Sequence, residues 1–282
     1  SLVIRISGLR GGHSGAEIHM QKGNALKLMG QLLHQLNQET GLQLVSLSGG
    51  SKENVIAMDC TASVLAPAGS LEKIEKAAQA MKETWDVEFM GEEPGLKVTV
   101  EEAGEKELEA AAPERTTQVI DYLYLMPNGT QDYSRGLAGL VETSLNPGVM
   151  SVKDDVLTIC TLVRSSVDSK KEALQERLRT LAALFDADFA ADSDYPGWMY
   201  KEHSPLREIM VDTYKEMYGE DPKVITIHAG LECGLFLGKR PDLDCVSFGP
   251  DILDVHSVRE KLDIASTERC YDYLKAVLAK CR

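Results

Sequence analysis

Six residues have the types and neighbours to act on a small polar substrate: His13, Asn54, Arg164, Gly230, Glu232 and His256. His13 lies in Gly11-Gly12-His13-Ser14-Gly15. Glycines allow another chain or a ligand to approach closely. An imidazole on such a turn can donate to a developing oxyanion. Taken alone, the pentapeptide fits better a turn histidine bonded within its own loop. Asn54 heads a strand after a Gly-Gly turn, where Asn is disfavoured, so it is there for its amide or as a turn residue. Arg164 closes Cys160-Thr161-Leu162-Val163. It could fork onto a carboxylate or simply stand at a strand terminus.

The most specific stretch is His228-Ala229-Gly230-Leu231-Glu232-Cys233-Gly234. An apolar strand ends at His228, and a tight turn at Gly230 enters a helix. Amide groups at a helix start favour anions. Glu232, in the first turn, could pair with a substrate amine or stabilise the helix dipole. A Cys233–His228 nucleophile pair lacks an evident third orienting group. His256 falls on a loop after a short strand, where α/β sheets gather ligands. It fits a single metal ligand or a solvated loop histidine. The chain has no HExxH and no second His/Asp cluster, so no complete metal site of its own is expected.

The elements that must position these residues follow from periodicity. Leu2 to Gly8 alternates as a strand. Asn24 to Asn37 has the apolar spacing of a helix, ended by Gly41. Leu42 to Leu47 and Asn54 to Leu65 read as strands around Ser48-Gly49-Gly50-Ser51. A helix from Leu71 to Trp85 and a strand from Leu96 to Glu101 complete the first half. The order then recurs: a helix from Glu114 to Leu125, a hairpin of Leu145 to Val152 with Val156 to Ser165 through Lys153-Asp154-Asp155, and a helix from Ser169 to Phe185. Two α/β sandwich halves of similar layout are expected. Composition shifts at residues 190–197, the best domain boundary. Beyond it come helices at Pro205 to Tyr218, Gly230 to Leu237 and Ser266 to Ala279. Short strands at Val224 to His228 and Asp244 to Phe248 alternate with them, as in a sheet covered on both faces.

Composition removes other classes. The 282 residues carry a net charge of -14, with no basic cluster, which disfavours nucleic acid. No apolar run approaches the roughly 18 to 20 residues that span a bilayer. The six cysteines form no CxxC pair and read as reduced thiols of a cytoplasmic protein. The first residues, Ser1-Leu2-Val3-Ile4-Arg5-Ile6, already read as a strand, so the chain is expected to begin inside a fold, as a piece of a longer protein.

Taken together, several segments resemble the Xaa-His dipeptidases (aminoacyl-histidine dipeptidases, including carnosine-cleaving enzymes) of the M20 metallopeptidase family. They are Gly8 through His19, Val141-Glu142-Thr143-Ser144-Leu145-Asn146, Leu162 through Ser169, Tyr195-Pro196-Gly197-Trp198, Ile227 through Phe236, and Gly249-Pro250 through His256-Ser257. The resemblance implies an α/β (α+β) enzyme: a catalytic α/β domain binding two zinc ions, Co2+ or Mn2+ being possible, with an inserted lid. The lid, of two repeated α/β sandwich halves, would be residues 1–190. Residues 191–282 would be the C-terminal half of the catalytic domain.

By the same resemblance His13 stabilises the tetrahedral oxyanion. Asn54 and Arg164 hold the substrate's C-terminal carboxylate or nearby polar groups. Glu232 and the Gly230 turn line the pocket near its amino group, and His256 is the last zinc ligand. Family members carry the other metal ligands and the general base before the lid, so this chain alone is expected to lack activity. One local departure is that Val258-Arg259-Glu260 follows His256-Ser257, where the family usually has Pro. The implied activity is hydrolysis of dipeptides, preferably Xaa-His, in a cytoplasmic homodimer. A binding or dimerisation module without catalysis is the alternative.

Overall fold

The computed structural model describes every residue except 105–107, 229–231, 254–259 and 282. The chain divides into two units, one of residues 1–194 with Ile227 and His228, the other of most of the remainder.

The first unit is built on one antiparallel sheet. Its strands are β1 (Leu2–Ser7), β2 (Gly12–His13), β3 (Gln43–Gly50), β4 (Val55–Ile56), β5 (Cys60–Leu65), β6 (Lys97–Glu102), β7 (Gly129–Tyr133), β8 (Val141–Lys153) and β9 (Val156–Ser165). Seven of them form the sheet in the order β6-β1-β5-β3-β8-β7, with β9 also pairing β8. β2 and β4 form a separate two-residue ladder. The helices are α1 (Ala25–Thr40), α2 (Leu71–Glu88), α3 (Pro113–Leu125) and α4 (Asp168–Leu184). Alternate residues Leu2, Ile4 and Ile6 of β1 and Cys60, Ala62 and Val64 of β5 share one core with Leu26, Met29, Leu33, Ile74, Ile120 and Leu174. Because strand side chains alternate, the helices cover one face of the sheet and leave the other to polar residues.

The expected mixed α/β architecture is present, with three differences in this unit. The run read as one strand from Asn54 to Leu65 is broken: Asn54 lies in a turn, where Val55 N donates to Lys52 O at 3.1 Å. The break lets the first piece pair with the His13 loop and the second with β1 and β3. β7 carries no apolar alternation and pairs β8 all the same. The second half also lacks, among the described residues, counterparts of the outer strands β1 and β6.

The two halves meet where β3 pairs β8 at Gly49↔Met150 and Gly50↔Val149, and where α1 lies against α3. A Cβ on Gly30 of α1 would stand 3.0 Å from the Leu123 side chain and 3.1 Å from its backbone. Lys27 closes the contact by donating to Leu123 O and Met126 O, each at 2.5 Å, and to Tyr124 O at 3.1 Å. These are terminal carbonyls of α3 that no helical amide satisfies. Burial lowers the Lys27 pKa to about 8.

The second unit contains α5 (Pro205–Tyr218), α6 (Glu232–Lys239), β10 (Ile252–Leu253), β11 (Lys261–Leu262) and α7 (Ile264–Lys280). Ser204 caps α5 by accepting from Arg207 N at 3.1 Å, and Asp244 accepts from Ser204 Oγ and Leu206 N. α5 and α7 pack through Met210, Tyr273 and Val277, with Tyr273 Oη donating to Met210 O at 2.7 Å. The strands expected at Val224 to His228 and Asp244 to Phe248 are not formed. A strand needs a neighbour for its amides and carbonyls, and no described strand of this unit runs beside either segment. Val224, Ile225 and Ile227 are each more than half exposed.

The closeness of Gly30 to α3 reverses a common rule. Gly→Ala inside a helix ordinarily stabilises by up to about 1 kcal/mol. Here Gly30→Ala is expected to destabilise the first unit by about 1–3 kcal/mol, through overpacking against Leu123. Urea unfolding followed by circular dichroism measures this, as a lower midpoint at unchanged slope.

Candidate functional site

The polar face of the first unit brings together His13, Asn54 and Arg164. His13 lies in β2 opposite Val55 of β4, and Ser14 N donates to Asn54 O at 3.0 Å. The His13 and Asn54 segments are therefore hydrogen-bonded neighbours. The next support comes from Asn146 of β8. Its Nδ2 donates to Glu53 O and Val55 O, both at 2.9 Å, on either side of Asn54. Its Oδ1 accepts from Asn24 Nδ2 at 3.2 Å, while Asn24 Oδ1 caps α1. A buried amide pair thus ties the first turn of α1, strand β8 and the Asn54 turn together.

The His13 ring is oriented by its own loop. Its Nδ1 accepts from Gly15 N at 3.1 Å and Ala16 N at 3.0 Å. An atom that accepts two amide hydrogens carries none itself, so in the neutral ring the proton is on Nε2. Glu17 braces the loop, accepting from His13 N at 2.8 Å and pairing with Lys22 at 2.7 Å. The hydrogen bond from Lys22, then that from the His13 amide, holds the Glu17 carboxyl below the usual range. Nδ1 thus serves the turn, and Nε2 carries the neutral ring's one hydrogen.

Arg164 stands opposite Ser144 in the β8/β9 register. Residues two apart on a strand share a face, so Ser144 lies on the Asn146 side, while Leu145 between them enters the helix-covered core. Arg164 Nε is buried without a hydrogen-bond partner among the described residues, as is Ser14 Oγ. Burial lowers the Arg164 pKa. The fourth member of the group is His228, whose Nε2 is 2.7 Å from Ser144 Oγ. Desolvation, then the charge of Arg164, lowers its pKa to about 4, so the ring is neutral at pH 7.

Gly15 is the point around which these groups close. A Cβ there would lie 2.5 Å from His228 O, 3.1 Å from His13 Cε1 and 3.3 Å from Arg164 Nε. Only a residue without a side chain fits that contact. Neither Ser144 nor Asn146 was singled out from the sequence as a site residue. The signal was there: two small polar residues at alternate positions on either side of Leu145 in β8, one of them Asn, a poor strand former.

Glu232 belongs to the second unit, as the exposed first residue of α6. Its charge is one of the causes that raise the Tyr195 pKa, after desolvation. Cys233 belongs to the second unit, and His228 bonds Ser144 in the first. Gly230 and His256 lie outside the described residues. Among the described residues no three His, Cys, Asp or Glu side chains form a group that could hold a metal ion. His256, the one ligand expected in this chain, is not among them.

The face of the sheet away from the helices thus carries an oriented imidazole beside a guanidinium whose Nε is buried and has no partner among the described residues. Two family descriptions match the chain: "Peptidase dimerisation domain" over residues 4–90, and "Peptidase family M20/M25/M40" over residues 49–280. The chain belongs to the M20/M25/M40 peptidase family.

Within that family its likeness is to the Xaa-His dipeptidases. It is 34% identical over 275 residues to the cytosol non-specific dipeptidase of Escherichia coli K12, covering 98% of this chain and 56% of that protein. It matches the crystal structure of aminoacylhistidine dipeptidase from Vibrio alginolyticus with a TM-score of 0.91 at 35% identity, covering 99% of this chain and 57% of that one. The chain spans about half the length of the relatives it matches. No helix among the described residues is long and apolar enough to cross a membrane.

The low His228 pKa has a signed consequence. An unfolded histidine takes up a proton near pH 6.5, whereas folded His228 resists it down to about 4. Stability is therefore lost as pH falls through that window. His228→Gln should flatten this part of the stability–pH curve. Arg164→Met should raise the His228 midpoint, read from the ring 15N shifts.

Proposed function

We propose that the whole protein is a metal-dependent dipeptidase, preferring Xaa-His substrates such as carnosine, in which residues 1–190 are the substrate-covering lid. The observation that carries the reading is the convergence of His13 and Arg164 on Gly15, with Asn54 held beside the His13 strand.

Each group then has a task. Arg164 offers a buried, unpaired Nε–H and a full charge to the substrate's C-terminal carboxylate. Asn54 offers a short amide on a braced turn to the same end of the dipeptide. His13 offers Nε2–H to the scissile carbonyl oxygen as negative charge grows on it. Its Nδ1 is already saturated by the loop, so the ring does not rotate to meet the substrate. The roles of Glu232 and Gly230 toward the substrate amine, and of His256 as a metal ligand, rest on the resemblance. So do residues 191–282 as the C-terminal half of the catalytic domain. Bound metal, two Zn2+ or else Co2+ or Mn2+, would polarise the carbonyl and supply hydroxide. No step assigned to His13, Asn54 or Arg164 passes through it.

This chain alone is expected to release no histidine from β-alanyl-L-histidine with Zn2+ present. Supplying the part of the relatives that it does not span should give zinc-dependent release. In that active preparation His13→Ala should lower kcat by about 10²- to 10³-fold, the cost of losing an oxyanion donor. Release by the chain alone would refute the incomplete site. A folded, zinc-loaded preparation that cleaves no dipeptide would refute the dipeptidase reading.

The dimerisation-domain match over residues 4–90 favours a second reading, in which the chain acts as an assembly module. A homodimer is proposed under both readings, in a cytoplasmic protein whose other partner is the dipeptide and not nucleic acid. Sedimentation velocity on the purified chain tests the dimer, and a concentration-independent monomer counts against it.

A further inference from the structure

Arg164 is half-buried with its Nε closed off from water, and no acidic side chain pairs with it among the described residues. Desolvation, and after it the charge of Arg164, keeps His228 from taking up a proton. A second cation there would leave two like charges desolvated together, so the ring stays neutral. Neutral imidazole is a modest hydrogen-bonding group that leaves the guanidinium charge uncompensated. A carboxylate in its place would satisfy Arg164 internally and close the position to an incoming anion.

His228 is also held in place. Ser144 is 1% exposed and fixed by the β8/β9 ladder directly opposite Arg164. Its hydroxyl reaches His228 Nε2 at 2.7 Å. The His228 carbonyl sits against Gly15, where a side chain would strike it. Two contacts thus hold His228: Ser144 of β8 fixes its ring, and the His13 loop at Gly15 lies against its carbonyl.

We propose that Ser144 and His228 are positioning residues of a carboxylate subsite: Ser144 anchors the His228 imidazole beside Arg164, so that the guanidinium remains unpaired, fixed in place and selective for the carboxylate of a dipeptide's C-terminal residue. This rests on the reading of Arg164 as the carboxylate anchor and deepens it. Ser144→Ala removes the anchor without adding volume. The imidazole is then free to turn, and the subsite loses its fixed shape.

The test is calorimetric titration of the purified chain with L-histidine, which carries the carboxylate, and L-histidinamide, which does not. Histidine should bind at least about tenfold more tightly than the amide. Ser144→Ala should weaken histidine binding about tenfold, the scale of one lost hydrogen bond at a charged site. It should leave the amide unchanged, and Ser144→Thr, which keeps the hydroxyl, should restore binding. Ring 15N shifts give a reading that mere structural support would not move: the His228 midpoint should rise when histidine, but not the amide, neutralises Arg164. If Ser144→Ala and His228→Gln bind histidine as the unaltered chain does while Arg164→Met does not, the proposal fails and Arg164 remains the anchor. If Arg164→Met also binds histidine unchanged, or the folded unaltered chain binds none, both fail.

Discussion

Asn146 is a buried side chain with hydrogen-bonding groups that must be satisfied inside the protein. It meets that demand by bonding Asn24 at the start of α1 and the carbonyls on either side of Asn54. One amide thereby registers a helix, a turn and the longest strand of the sheet. An apolar residue at 146 could fill the volume, but it would leave Glu53 O and Val55 O to find other donors. Asn54, Ser14 and the His13 strand are all positioned downstream of this interaction.

The two faces of β8 divide the labour of the first unit. Leu145 and Met150 join the core under the helices, where burial of apolar area supplies the cohesion. Ser144 and Asn146 face the other way and supply geometry. The polar face holds its charges unequally. Glu17 and Lys22 pair with each other and brace a loop. Lys170 pairs with Asp132 and Glu142. Arg164 Nε has no such partner, although it is buried. An unsatisfied buried donor costs stability in the free protein, and such costs concentrate where a ligand is meant to relieve them.

Family membership and local chemistry answer different questions. The match to the M20/M25/M40 peptidases defines the class of protein and the fold. The hydrogen bonds around His13 fix its tautomer: with Nδ1 accepting two amide hydrogens, the neutral ring carries its own hydrogen on Nε2. The second unit differs in character. Its described core is small, centred on Met210, Tyr273 and Val277, and apolar side chains such as Ile225, Phe236 and Leu253 stay exposed.

What the sequence determined by itself was local. Apolar periodicity placed α1, α2, α3, α4, α5 and α7 within a few residues, because each side chain's preference for the core repeats with the helix. Lys153-Asp154-Asp155 announced the β8/β9 hairpin, and Asp154 and Asp155 adopt the positive φ of 51° and 60° that such a turn requires. The turn motif of His13 and the strand-end Arg164 were legible for the same reason. Tertiary structure decided the rest. The Asn54 strand broke because two different partners claimed its halves, and β7 formed without apolar alternation because β8 supplied a ladder. The segments at Val224 to His228 and Asp244 to Phe248 look like strands in sequence, yet a strand is completed only by its neighbour. The joining of Ser144 to His228, 84 positions apart, depends on how the chain returns to the sheet, and no spacing in the sequence encodes that return.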